Sequence, residues 1–234
     1  MEHACCKKYV IEFNGLPGTG KTTIANYVES LLKDSGLDIS REYYKRQKHK
    51  NNRTLLVSAK HLLLITKLFL LSLFICPLRK RVNGIVAFAK YIRMYDDYSK
   101  RDGGSILITD EGIIQAISSI YHRDRIKNKR IINVLLRIIN NNGLSIVRID
   151  CTSNVALSSS RIIERGLTGA RLDSLGYQER IEALATQSFN FGVIRERASN
   201  LLSWDCINVD TSLRPEVNAQ VICDVFNSMV GNEI

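Results

Sequence analysis

Strands alternate with helices along this chain, which predicts an α/β fold: a parallel sheet with helices on both faces. Three observations carry that expectation. Short apolar runs end in small or acidic residues, at 9–13 before Gly15, at 106–108 before Thr109-Asp110 and at 144–149 before Asp150. Stretches of helical periodicity separate these runs. The first run passes into GLPGTGKTT, residues 15–23, which fits the spacing G-x-x-x-x-G-K-[ST] at Gly15, Gly20, Lys21 and Thr22.

The elements follow in order. Residues 8–14 read as a short, largely apolar buried strand, and residues 21–33 place Ile24, Ala25, Val28, Leu31 and Leu32 on one helical face. Residues 37–44 read as a second strand. Residues 41–53 are basic and aromatic, and the run HLLLITKLFLLSLFIC at 61–76 is apolar, broken by Lys67 and followed by Pro77. Its length and interruptions argue against a membrane span and leave a buried helix or one lying on a membrane surface. A helical stretch at 82–98 leads to the turn Asp102-Gly103-Gly104 and the strand Ile106-Leu107-Ile108. Helical patterns at 113–121 and 125–140 stop at Asn141-Asn142-Gly143. A strand at 144–150, a helix at 154–165, a loop with glycine and arginine at 166–176, a helix at 177–200, a strand at 206–210 and a closing helix at 214–230 complete the pattern. Ligands of such sheets bind beyond the carboxyl ends of the strands. GLPGTGKTT, TDEG at 109–112 and DCTS at 150–153 all stand at such ends.

Each fixed residue of the glycine-rich loop has a chemical reason. A phosphate chain is a crowded anion that backbone N–H groups must approach closely. Gly15, Gly18 and Gly20 permit that approach, with Pro17 and Thr19 shaping the turn between them. A helix starting near Gly20 aims its positive dipole end at the same anion. Lys21 can reach the β- and γ-phosphates, the Thr22 hydroxyl can hold Mg²⁺, and Thr23 completes the motif.

The 234 residues suffice for one domain with a full core, with hydrophobic content of 45% and charged content of 24%, both ordinary for a globular protein. That composition excludes a disordered, collagenous or disulfide-stapled chain. Six cysteines, at 5, 6, 76, 151, 206 and 223, form no C-x-x-C pair and no ligand spacing with the four histidines. Mostly buried free thiols in a cytoplasmic protein are expected. No secretory leader is expected, because the residues before the loop are needed as its strand. The net charge of +10 is concentrated: residues 41–101 hold 15 Lys/Arg against 3 Asp/Glu, a net of +12, and the remainder holds 18 against 20. A field of that sign attracts phosphates, nucleic acid or an anionic membrane surface.

Asp110, at the end of an apolar strand, can hold Mg²⁺ or accept the proton of an attacking hydroxyl, and Glu111 beside it offers a second carboxylate. The structural alternative is that Thr109 or Asp110 caps the helix at 113. Arg161 and Arg165 lie four apart on one helical face, and Arg171 follows across a loop with two glycines. Phosphoryl transfer needs cations around the developing charge, and a mobile loop can bring them in while excluding water. A solvated helix face, with Glu164 as partner, is the alternative.

The layout resembles the P-loop nucleoside and nucleotide kinases, and among them the thymidylate-kinase-like group. The matching residues are GLPGTGKTT, the strand and acid at 106–110, the run from Asp150 through Ala156-Leu157 to Arg161 and Arg165, and VDTS at 209–212 followed by Pro215 and an apolar helix. The resemblance covers roughly half the chain. It implies a three-layer α/β/α P-loop NTPase fold with a five-stranded parallel sheet, ATP as donor, Mg²⁺ held by Thr22 and Asp110, and an arginine-bearing lid at about 161–176. It also implies that residues 210–214 lie near the adenine and that the 41–101 segment faces the acceptor. This chain departs from the family at residue 111. Thymidylate kinases carry arginine after the third-strand aspartate, where it meets the acceptor's phosphate; here Glu111 would repel one. A hydroxyl of a nucleoside or sugar suits Asp110-Glu111 better.

The leading expectation is therefore an ATP- and Mg²⁺-dependent kinase acting on a small, anionic or phosphate-bearing acceptor, with Lys21, Asp110, Glu111, Arg161, Arg165 and Arg171 in the chemistry. A GTPase-like switch would want N-K-x-D, and Asn128-Lys129-Arg130-Ile131 lacks the aspartate. A kinase acting on a nucleic-acid end or a lipid-linked glycan stays open, as do a regulatory ATP-binding protein that engages nucleic acid or an anionic membrane and a homodimer.

Overall fold

The computed structural model describes residues 7–42, 82–101, 106–121, 124–139, 143–166 and 172–231. Five strands, β1 (Lys8–Gly15), β2 (Ile39–Glu42), β3 (Ile106–Thr109), β4 (Leu144–Thr152) and β5 (Asp205–Asp210), form one sheet in the order β2-β3-β1-β4-β5. Every pairing is parallel. The described helices are α1 (Lys21–Asp34), α2 (Val82–Ser99), α3 (Ile113–Tyr121), α4 (Lys129–Ile138), α5 (Val155–Glu164), α6 (Tyr177–Leu201) and α7 (Pro215–Gly231). The expected three-layer α/β/α arrangement around a five-stranded parallel sheet is the one the chain forms.

Side chains of a strand alternate between its faces, so β1 feeds both layers. Tyr9, Ile11 and Phe13 join Ile24, Ala25, Val28 and Leu32 of α1 and Ala219, Ile222 and Phe226 of α7 in one core cluster. Tyr9 meets Phe226 edge-on, with ring centroids 5.4 Å apart. Val10 joins a second cluster with residues of α2, α3, α4 and α6. A sheet buried on both faces explains the near-continuous apolar runs in its central strands. Burying one large aliphatic side chain there stabilises by about 1.5–3 kcal/mol. On the second face α2 and α3 approach closely: a Cβ on Gly84 would lie 2.7 Å from the Ile120 nitrogen.

Several boundaries differ from the expected ones for identifiable reasons. The second strand begins at Ile39 rather than at 37, and its expected end at 43–44 lies outside the described residues. The helix expected at 125–140 begins at Lys129, because Asn128 caps it, its side chain accepting from Arg130 N–H at 2.9 Å. The residues before it are held in place by Asn190 of α6, which accepts from Ile126 N–H at 2.9 Å and donates to Asp124 O at 3.0 Å. That cap gives Asn128 a structural role at the head of α4. The basic stretch at 43–53, the apolar run at 61–76, the turn at 102–104 and Arg171 lie outside the described residues. Among the described residues no helix is long and apolar enough to cross a membrane.

β1 is central, with β3 on one side and β4 on the other, and the chain crosses from one side to the other between β3 and β4. This is the switch point at which the carboxyl ends of a parallel sheet leave a crevice. The loop after β1 and the turn after β3 stand there together.

Candidate active site

The loop between β1 and α1 follows a path that side chains would obstruct. Gly18 and Gly20 have φ of 82° and 81°, in the left-handed region that L side chains rarely adopt. A Cβ on Gly18 would lie 2.4 Å from the Ser158 carbonyl oxygen of α5, and one on Gly15 would lie 2.5 Å from the Cys151 carbonyl oxygen of β4. The loop is wedged against both elements. Thr19 is buried and folds back on Leu16, its N–H and Oγ1 donating to the Leu16 carbonyl at 3.3 and 2.9 Å. Pro17 is half-buried, and Thr22 and Thr23 are exposed at the head of α1.

Helix α1 begins behind Gly20 with no side-chain cap and no acidic residue in its first turn. Leading N–H groups left without a side-chain acceptor, on a helix of 14 residues, favour an anion. Lys21 lies over the loop, its Nζ donating to the carbonyls of Gly15 at 2.9 Å and Leu16 at 2.8 Å. Burial pushes its ammonium below its usual range, and the Glu111 and Asp110 carboxylates pull it back up. Lys21, Asp110 and Glu111 are thus within electrostatic reach of one another.

Asp110 is buried at the end of β3, and its Oδ1 takes Arg41 Nη2 at 2.5 Å. Arg41 also meets Glu29 of α1 at 2.8 Å through Nη1. One guanidinium at the end of β2 therefore ties α1 to the turn after β3. The expected alternative of a helix cap is not what Asp110 or Thr109 does: Thr109 Oγ1 donates to the Glu111 carbonyl. The carboxyl that meets the first turn of α3 is Glu12, whose Oε1 accepts from Ile114 N–H at 3.1 Å.

Glu12 is a residue that the reading of 8–14 as an apolar strand missed. It is fully buried, and its Oε2 accepts from the Tyr95 hydroxyl of α2 at 2.5 Å. Burial raises its carboxyl above the usual range against the pull of Tyr95 and the Ile114 amide. The available signal was a single acid inside YVIEFNG. Arg195 was also missed. Its Nη2 lies 3.4 Å from the Asn14 carbonyl and 3.5 Å from the Cys151 carbonyl, and its Nε lies 3.3 Å from Asp150 Oδ1. It opposes the Lys21 charge. An arginine in the middle of a 25-residue helix gives no such signal in sequence. Asp150 is itself buried between Arg195 and Arg148, the latter at 3.1 Å.

The arginines expected to form a lid part company. Arg161, in α5 beside the loop, donates through Nη2 to the Thr211 carbonyl at 2.9 Å. Thr211 is fixed in turn by its N–H and Oγ1, which donate to the Thr152 carbonyl at 3.0 and 2.9 Å. Arg161 thus stands at the segment that follows β5. Arg165 is exposed and pairs with Asp173 at 2.9 Å, bridging the two ends of the loop that holds Arg171. Of the cysteines in the described residues, Cys151 and Cys223 are buried as expected, whereas Cys206 is exposed on edge strand β5; all are free.

Mg²⁺ takes hard oxygen donors, a few from protein and the rest from phosphates and water. The Thr22 hydroxyl and the Asp110 and Glu111 carboxylates supply oxygens of that kind. The described residues hold no group of three or more His, Cys, Asp or Glu that forms a protein-only metal cage. This donor set fits a cation shared with a nucleotide.

No protein-family model matches the sequence, and comparison with curated proteins gave no match. Among solved structures the chain is similar to a deoxyadenosine kinase from M. mycoides with bound dATP, at 15% identity and a TM-score of 0.47 over 94% of this chain and 99% of the other. Neither residue roles nor a substrate pass from that protein to this one at such identity.

Proposed function

We propose that this protein is a kinase that transfers the γ-phosphoryl group of ATP, with Mg²⁺, to a hydroxyl of a small acceptor such as a nucleoside, a nucleotide or a sugar. The observation that supports this most is the meeting of three parts. An uncapped helix start follows a glycine loop, Lys21 is seated over that loop, and two carboxylates act on Lys21 from the adjacent strand.

In this reading the loop amides of residues 15–23 and Lys21 bind the β- and γ-phosphates. Thr22 and Asp110 would hold the Mg²⁺, which would supply charge neutralisation for the phosphates. Asp110 is already engaged by Arg41 at 2.5 Å, so it serves to place charge. Glu111, half-buried and next to it, receives the acceptor's proton. A bond forms between the acceptor oxygen and the γ-phosphorus as the bond to the bridging oxygen breaks, and ADP departs with the electron pair. Arg161, and Arg165 and Arg171 on the loop, neutralise the departing charge. The loop at about 161–176 acts as a lid on a single domain spanning residues 1–234.

Glu111 disfavours a phosphate at the reacting end of the acceptor. The net charge of +12 over residues 41–101 favours an anion at its far end. A hydroxyl acceptor with a remote negative group reconciles the two. The test is transfer from γ-labelled ATP with Mg²⁺ to a panel of nucleosides, nucleoside monophosphates, sugars, oligonucleotide 5′-hydroxyls and a membrane lipid extract. Label on a nucleoside, nucleotide or sugar is the expected result. Label only on oligonucleotide ends or lipid would move the acceptor to a macromolecule or a membrane. No labelled product, with ATP bound, would refute the small-acceptor kinase.

A further inference from the structure

We propose that Glu12 is a positioning residue that sets the Asp110-Glu111 turn against the phosphate loop; the proposal rests on the phosphotransfer reading above. Glu12 lies three residues before Gly15 on β1 and is paired in register with Thr109, the last residue of β3. The near end of the turn is therefore fixed to the loop strand by backbone pairing. Its far end is fixed by the Glu12 side chain, which takes Ile114 N–H on Oε1 at 3.1 Å. Between these two anchors stand Asp110, Glu111 and Gly112.

Gly112 is what lets the turn close on the carboxyl. A Cβ there would lie 1.9 Å from Glu12 Cδ. The turn backbone thus rests directly on the Glu12 side chain, and the Thr109 hydroxyl, donating to the Glu111 carbonyl, braces it from within. Tyr95 holds the other carboxyl oxygen at 2.5 Å from α2, so the side chain cannot swing away. A fully buried carboxyl is costly unless hydrogen-bonded. At this position an apolar side chain could fill the space, but it could neither accept the Ile114 amide nor hold the turn. Carboxylates whose contact with the reacting atoms depends on placement lose rate when that placement slackens.

The test uses Glu12→Ala, Glu12→Gln and Tyr95→Phe in the full chain. Transfer from γ-labelled ATP to the panel of nucleosides, nucleoside monophosphates, sugars, oligonucleotide 5′-hydroxyls and membrane lipid extract is measured beside amide hydrogen exchange. Glu12→Ala should lower kcat at least tenfold and leave KM for ATP within threefold, because the phosphate loop is untouched. Glu12→Gln, which keeps an acceptor for Ile114, should restore most of the rate. Tyr95→Phe should lower kcat severalfold with the same KM. Exchange at 111–115 should speed up in the Ala variant while exchange at 18–24 stays as in wild type. Wild-type kcat in Glu12→Ala, or in Tyr95→Phe if the Ala variant does not fold, overturns the proposal. So does a change confined to KM for ATP. If wild-type protein transfers nothing to any acceptor of the panel, that bears on the phosphotransfer reading alone. The exchange pattern at 111–115 in Glu12→Gln and Tyr95→Phe then decides the role of Glu12: increased exchange there in Tyr95→Phe supports it, and unchanged exchange overturns it.

Discussion

Gly18 and Gly20 share nearly the same backbone angle, 82° and 81°, yet differ in their surroundings. A Cβ on Gly20 would meet nothing within 4 Å, whereas one on Gly18 would press on the Ser158 carbonyl at 2.4 Å. Gly20→Ala should therefore cost only the left-handed conformation, about 1–2 kcal/mol. Gly18→Ala should add roughly 1–3 kcal/mol for displacing α5. Urea unfolding of the two variants checks the order; equal losses would contradict the wedging of the loop. Glu12 gives a second test through pH. Its carboxyl is raised by burial above the ordinary 4.5, so the folded protein keeps this proton where the unfolded chain has released it. The resulting stabilisation is full below pH 4.5 and is lost as pH rises through the folded-state value. Unfolding free energies from pH 4.5 upward should thus shift in favour of Glu12→Gln relative to wild type. A constant difference, or one moving toward wild type, would contradict the raised value. At this scale the loop residues were legible because their spacing is dictated by phosphate geometry. Arg41, Glu12 and Arg195 have partners 69, 102 and 181 positions away, and sequence spacing carries no trace of such contacts.

Between elements, polar side chains do the joining that apolar faces leave unspecified. Asn190 is fully buried in α6 and satisfies one donor and one acceptor of the 124–128 segment. Asn190→Ala should destabilise by about 2 kcal/mol through the backbone groups it leaves unpaired, and thermal unfolding would show it; a loss below a few tenths would mean that water replaces the side chain. The order and type of the described elements were legible from periodicity, because a sheet covered on both faces demands apolar strands and one-sided helices. Their ends were less so. The start of α4 is decided by Asn128 and Asn190, not by where apolar residues begin. The first turn of α3 is met by Glu12 from another strand, whereas local sequence offered Thr109 and Asp110 as cap candidates.

Over the whole molecule the sheet order explains why distant sequence pieces converge. Placing β1 between β3 and β4 sets the glycine loop beside the Asp110 turn on one side and the Asp150 end on the other. Residues 41–101 were legible only as charge: a net of +12 favours a partner of negative sign and carries nothing about its shape. The central claim is phosphoryl transfer that depends on Lys21. The most direct measurement is the rate of label transfer from γ-labelled ATP in wild-type protein and in Lys21→Ala, with matched unfolding curves. The expected result is an intact fold and a loss of at least a hundredfold, about 3 kcal/mol of transition-state stabilisation. An intact fold that still transfers label at the wild-type rate would contradict the account.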